Sequence, residues 1–133
     1  MREFAHDQTA ALLKKFAVQV NRAARAGEAD AIHDLRVSIR RLSRCLRVFS
    51  QFYAGHGWKK MRRRLKDLMD ACGNVRDRDI AIELLTKAGF PATSIVVRRL
   101  TLDRAEAQQE LLTLLRRWKG HGAARKWRTQ LGF

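Results

Sequence analysis

Apolar residues recur every three or four positions along nearly the whole chain, and almost nothing interrupts them. That spacing gathers them on one face of a helix, whereas a half-buried strand would alternate at every second residue. A single proline, Pro91, occurs in the 133 residues. A chain patterned in this way has to bury its stripes by packing helix on helix. It is expected to be all-α, an antiparallel helical bundle of about five helices with short connections. No linker or low-complexity stretch divides it, so one domain over residues 1–133 is expected.

A first helix is expected from about Arg2 to Ala26, with Leu12, Leu13, Phe16 and Val20 in phase and Gly27 as its stop. Asp30 is the expected N-cap of a second helix that reaches about Tyr53, where "AGHG" breaks the chain. A third should cover about Trp58 to Cys72, with Trp58, Met61, Leu65, Leu68, Met69 and Cys72 on one stripe and Gly73 just past its end. Asn74 would then cap a fourth, with Asp77 and Asp79 in its first turn, ending near Gly89. Pro91 stands near the start of a long fifth helix that reaches about Lys119. Its apolar residues include Val97, Leu100, Ala107, Leu111, Leu114, Leu115 and Trp118. The tail "GHGAARKWRTQLGF" has room for one more short helical turn, and no strand or tandem repeat is expected.

Cys45 and Cys72 are far apart, lack metal-ligand spacing and fall near apolar helix positions, so two reduced, buried thiols are expected. The opening "MREFAHDQTA" has no apolar signal segment, and no run approaches the roughly 18 apolar residues of a membrane span. A cytoplasmic protein is the expectation.

Charge is the second constraint. Lys and Arg number 28 against 13 Asp and Glu, a formal net charge of +15. With 46% apolar residues the chain is not a disordered basic tail. A folded domain this basic repels itself, which calls for a polyanionic partner. The charge is also placed. The stretch "HDLRVSIRRLSRCLRVF", residues 33–49, holds five arginines and no acid after Asp34. On a wheel at about 100° per residue, Leu35, Ile39, Leu42, Leu46, Phe49 and Tyr53 share one side. His33, Arg36, Arg40, Arg44 and Arg47 share the opposite side within roughly 80°, and Arg41 flanks them. The stripe from His33 to Arg47 is about 21 Å long.

No acid occurs from Leu35 through Lys66, a window that also holds Lys59, Arg62, Arg63 and Lys66 on one flank of the third helix. If helices two and three pack as an antiparallel hairpin, the two stripes line one surface. Arg76 and Arg78 would open the fourth helix, where free backbone N–H groups also favour an anion. Most charge runs are solvated faces, but those mix signs. Here like charges stand at i,i+4, Arg36/Arg40 and Arg40/Arg44, which costs stability unless a partner is present. An anion-binding groove is the expectation. His33 stands in line with the arginines, and His6, His56 and His121 offer no shared metal-ligand spacing with it, so no metal or cofactor is expected.

The two blocks "HDLRVSIRRLSRCLRVF" and "RLKDLMDACGNVRDRDI" resemble the CHAD family, the conserved histidine α-helical domains. The family pattern is roughly H-x-x-R-V-x-x-R-R-L-R, then L-K/R-x-L…L-G-x-V-R-D-x-D. His33, Arg36, Val37, Arg40, Arg41 and Leu42 match the first part. Leu65, Lys66, Leu68, Gly73, Val75, Arg76, Asp77 and Asp79 match the second, so that the close match runs from Ile32 to Leu85. The resemblance implies an all-helical basic domain that binds inorganic polyphosphate, accompanies polyphosphate granules and often sits beside triphosphate-tunnel enzymes of the CYTH type. It implies ligand contacts at His33, Arg36, Arg40, Arg41, Lys66 and Arg76, and a structural role for Asp77 in holding Arg76 or capping its helix. Ser43 departs from the pattern, standing where the family usually has Arg, with Arg44 one position on. Family members also usually contain two such helical halves around a basic channel, and this chain has about one. A homodimer would restore the two halves by symmetry.

Arginine suits a phosphate polymer because its guanidinium fork grips phosphate oxygens in bidentate fashion. Nucleic acid is the main rival ligand. Single-strand binders interleave aromatics with their cations for stacking, and the stripe on the second helix has none; Trp127 in "RKWR" is the exposed-looking aromatic, and equally fits a tail tryptophan that seals the core. No helix-turn-helix signature points to a duplex reader. A polyphosphate-processing enzyme would need a metal held by clustered carboxylates. The carboxylates here are scattered: the helix dipole accounts for Asp77 and Asp79, and salt bridges account for Asp67 and Asp70. A non-catalytic binder is therefore expected, without catalytic residues. A membrane-surface role is disfavoured because the face opposite the arginines is needed as core.

Overall fold

The computed structural model describes residues 1–120 and 123–132. Five α-helices follow one another: α1 (Arg2–Arg25), α2 (Ala29–Val48), α3 (Gly57–Lys87), α4 (Ile95–Gly120) and α5 (Ala123–Gln130). A 3-10 turn over Ser50–Phe52 joins α2 to α3. No strand occurs among the described residues. The fold is all-α. The α1–α2 and α3–α4 pairs each pack lengthwise across a short connection, so their members run antiparallel, and α2 also packs on α3.

One apolar cluster holds the helices together. Leu13, Phe16 and Val20 of α1 meet Leu35, Ile39, Leu42 and Leu46 of α2 and Met61, Leu65, Leu68, Cys72 and Val75 of α3. Leu111 and Leu115 of α4 and Trp127 of α5 close it. Leu42 and Leu46 are fully buried, as the wheel requires. The 3-10 turn is tied down by Tyr53, whose hydroxyl lies 2.6 Å from Thr9 Oγ1 and donates to the Cys45 carbonyl at 3.3 Å. Both cysteines are buried and free.

The chain departs from its local signals in one large way. The expected third and fourth helices are a single α-helix of 31 residues. Gly73 and Asn74 lie inside it, and Gly73 does not take the positive φ of a C′ glycine. The apolar stripe continues in phase through them, from Leu65 and Leu68 to Cys72 and Val75, and burial of that stripe outweighs the roughly 1 kcal/mol cost of an interior glycine. The true stop comes at Gly89, with φ 92°. Its N–H bonds to the Thr86 carbonyl at 3.1 Å and the Phe90 N–H to the Leu85 carbonyl at 3.0 Å, the paired bonds of a Schellman motif.

Three smaller corrections follow. Helix α2 ends at Val48 instead of near Tyr53, although Tyr53 is buried as expected. It starts with Glu28 in the N-cap position and Asp30 in its first turn. Pro91 precedes α4 by a turn, and Ser94 caps that helix, its Oγ accepting from the Val97 N–H at 3.4 Å.

Candidate functional site

A groove of about 590 Å³ lies between α2 and α3, where the basic stripe of α3 meets one arginine of the α2 stripe. Arg40 enters it from α2; Lys59, Arg62, Arg63 and Lys66 enter from α3. Ile39, Leu65 and Met69 form apolar wall between them, and Asp70 is the single acid. The local reason is helical pitch. Arg62 and Lys66 lie one turn apart on the flank of α3 that turns toward α2 when Met61, Leu65 and Leu68 turn into the core. None of the five cations is ion-paired among the described residues. Arg62 Nε instead makes a long hydrogen bond of 3.5 Å to Ser43 Oγ. At this position of α2 a short hydroxyl replaces the expected arginine, and it steadies a cation of α3.

The remaining basic residues are dispersed. Arg36 is half-buried between α2 and α3, close enough to Cys72 for its charge to act on that thiol. Its Nε is buried with no hydrogen-bond partner. Burial still dominates at Cys72 and pushes its thiol up to about 12. Arg44 and Arg47 are exposed on α2 beside the groove. Arg41 lies elsewhere: it lines a cleft on the α1 side of α2, with Leu12, Lys15 and Gln19. His33 is exposed near the start of α2, its Nδ1 3.3 Å from Asp34 Oδ1. Asp34 is also paired with Arg22 of α1, and the Arg22 hydrogen bond, then His33, holds its carboxyl below the usual value.

Arg76 is half-buried on α3, about 15 Å along the helix from Lys66; the Glu83 carboxyl is held below its usual value by the hydrogen bond and charge of Lys87 and, to a lesser degree, by Arg76. Because α3 is continuous, Arg76 and Arg78 stand at no helix start, and the free N–H groups expected beside them are absent; Arg78 Nη1 bonds to the Asn74 carbonyl at 3.3 Å. Asp77 is exposed in mid-helix and caps nothing. Asp79 is paired with Arg104 of α4, while Asp67 and Asp70 make no salt bridge among the described residues.

Two tryptophans take distinct places. Trp127 is 2% exposed, because α5 folds back and sets its ring edge-on against Trp118 at 3.9 Å. It is core and offers no stacking face to solvent. Trp58 packs against the core cluster and also reaches the surface. It belongs to the apolar stripe in sequence, yet it is half-buried in the groove wall with Lys59 Nζ 5.7 Å from its ring centroid. The signal that marks it is its setting, an aromatic followed directly by Lys59 and Lys60 with Arg62 one turn on.

Among the described residues no three His, Cys, Asp or Glu side chains converge as metal ligands, and His121 lies outside the described residues. No helix there is long and apolar enough to cross a membrane. No curated protein and no solved structure matched the chain. A comparison with protein-family models matched the CHAD domain, which is linked in general to polyphosphate binding, over residues 7–131. A match over nearly the whole length, on a helical fold with both basic blocks in place, means that the chain belongs to the CHAD domain family.

Proposed function

We propose that the protein binds inorganic polyphosphate in the groove between α2 and α3 and does so without catalysis. The observation that carries this reading is the gathering of Arg40, Lys59, Arg62, Arg63 and Lys66 around one groove with Asp70 as its only acid. A linear polyphosphate presents charge along its whole length, so a row of cations on two rigid helices meets successive phosphates without ordering anything first. Arg36 adds to this, since a half-buried cation with an unpaired donor gains more from an approaching anion than a solvated one does. Arg44, Arg47, His33 and Arg76 extend the positive field beyond the groove itself. Affinity comes from counterion release and falls steeply with salt. The setting for such binding is the cytoplasm, at polyphosphate granules. A second copy of the chain restores the two-half arrangement usual in the family.

Nucleic acid is the second reading, and Trp58 is the observation that favours it, because a base has a face to stack on that ring and a phosphate polymer does not. The deciding experiment is a titration with long-chain polyphosphate at physiological salt, competed by single-stranded and duplex nucleic acid of matched charge. Preference for polyphosphate is the expected result. Equal or tighter binding of nucleic acid, lost in Trp58→Ala, would replace the first reading with the second. Loss of polymer chain length on incubation with a divalent metal would contradict the absence of catalysis.

A further inference from the structure

A second cleft, of about 450 Å³, opens on the other flank of α3, against α1, α4 and α5. Its floor is aromatic. Phe16 stands edge-on to Trp118 with centroids 4.8 Å apart, and Trp118 stands edge-on to Trp127 at 3.9 Å. Its rim is charged, with Arg64 and Asp67 from α3, Arg117 from α4 and Lys126 from α5. Although they share the cleft, none of these four is ion-paired among the described residues. Arg64 and Asp67 are even spaced i,i+3, where a solvated helix face would pair them. The volume lies within the range of small-molecule sites, about 300–1,000 Å³.

Inorganic polyphosphate has no use for an aromatic floor, and a purely apolar ligand has none for three cations. We infer that this cleft binds a small organic anion whose aromatic body rests against Trp118 and whose phosphate meets Arg117, Arg64 and Lys126. Asp67 accepts from an N–H donor on the ring. A purine mononucleotide such as AMP carries all three features: a planar ring, an exocyclic amino group that donates N–H, and a terminal phosphate. The site is separate from the groove, which lies between α2 and α3.

The test is calorimetric titration of AMP into the protein, alone and again in the presence of excess long-chain polyphosphate. Because the first arm contains no polymer, its outcome does not depend on what the groove binds. AMP is expected to bind in both arms. Arg117→Glu, at an exposed position, should weaken it by about ten- to a hundredfold, the range for loss of a charge-assisted hydrogen bond. Leu114→Trp, which fills the cleft from α4, should abolish it, with far-UV circular dichroism confirming that both variants fold. If Leu114→Trp does not fold, Arg117→Glu alone decides. Four results would overturn the inference: no AMP binding at millimolar concentration, full displacement of AMP by polyphosphate, inorganic phosphate competing as well as AMP, or Arg117→Glu binding AMP as tightly as the parent.

Discussion

Arg40, Arg41 and Arg44 are near neighbours in sequence and have different surroundings in the fold. Arg40 lines the groove with the cations of α3, Arg41 points into the cleft on the α1 side, and Arg44 stands in solvent on α2. One residue along a helix is a turn of about 100°, enough to move a guanidinium from one cleft to the next. The family resemblance carries Arg40 and Arg41 over together as ligand contacts, and the helix geometry separates them. Arg40→Glu should therefore reduce polyphosphate affinity by about ten- to a hundredfold. Arg41→Glu, which changes the net charge equally, should cost about threefold or less, through the general field alone. Titration of both variants at one salt concentration checks this. Equal losses would place the polymer across the top of α2 rather than between α2 and α3. That Arg40 and Arg41 line different clefts is not legible in the sequence, because the wheel gives a residue's angle and not the position of the neighbouring helices.

At the scale of the element, helix α1 is legible from its stripe almost to the residue, while α2 is legible in its apolar face but stops at Val48, short of the expected Tyr53. Helix α3 could not. Gly73, Asn74, Asp77 and Asp79 together imitate a helix stop followed by a helix start. Those are local preferences of about 1 kcal/mol each. They yield to the burial of Cys72 and Val75, two side chains in phase with the stripe before them. Trp58 and Trp127 mark a related limit: an apolar period says that a ring is near the core, as both are, and not which ring also forms a cleft wall. Gly73 gives a direct test of the continuous helix. A Cβ at this position would meet no atom within 4 Å. Gly73→Ala should therefore raise stability by about 0.5–1 kcal/mol, seen as a higher urea midpoint with an unchanged slope. Were Gly73 a left-handed C′ residue between two helices, the same change would lower the midpoint instead.

At the scale of the whole molecule, the hairpin of α3 and α4 outruns the rest of the bundle. Helix α3 has 31 residues against 20 in α2, and the last of its buried residues is Val75. Beyond that point Ile80, Leu84, Phe90, Ile95, Val96 and Leu102 are exposed, Leu84 and Leu102 at 63% each. The Asp79–Arg104 pair ties the two helices together there. A second copy of the chain offers the same apolar residues and would cover them by two-fold symmetry, which is the arrangement proposed above. Two molecules of charge +15 oppose this approach. Salt screens that repulsion over a Debye length of about 10 Å at 0.1 M and about 3 Å at 1 M, while leaving apolar contact intact. Self-association and polyphosphate binding should therefore respond to salt in opposite directions. Light scattering on a sizing column should show the dimer fraction rising between about 0.1 and 1 M salt, as polyphosphate affinity falls through counterion release. Leu84→Glu combined with Leu102→Glu should hold the protein monomeric at every salt concentration. A mass that stays monomeric in the parent protein, or a dimer that dissociates as salt rises, would remove the apolar end of the hairpin as the contact between copies.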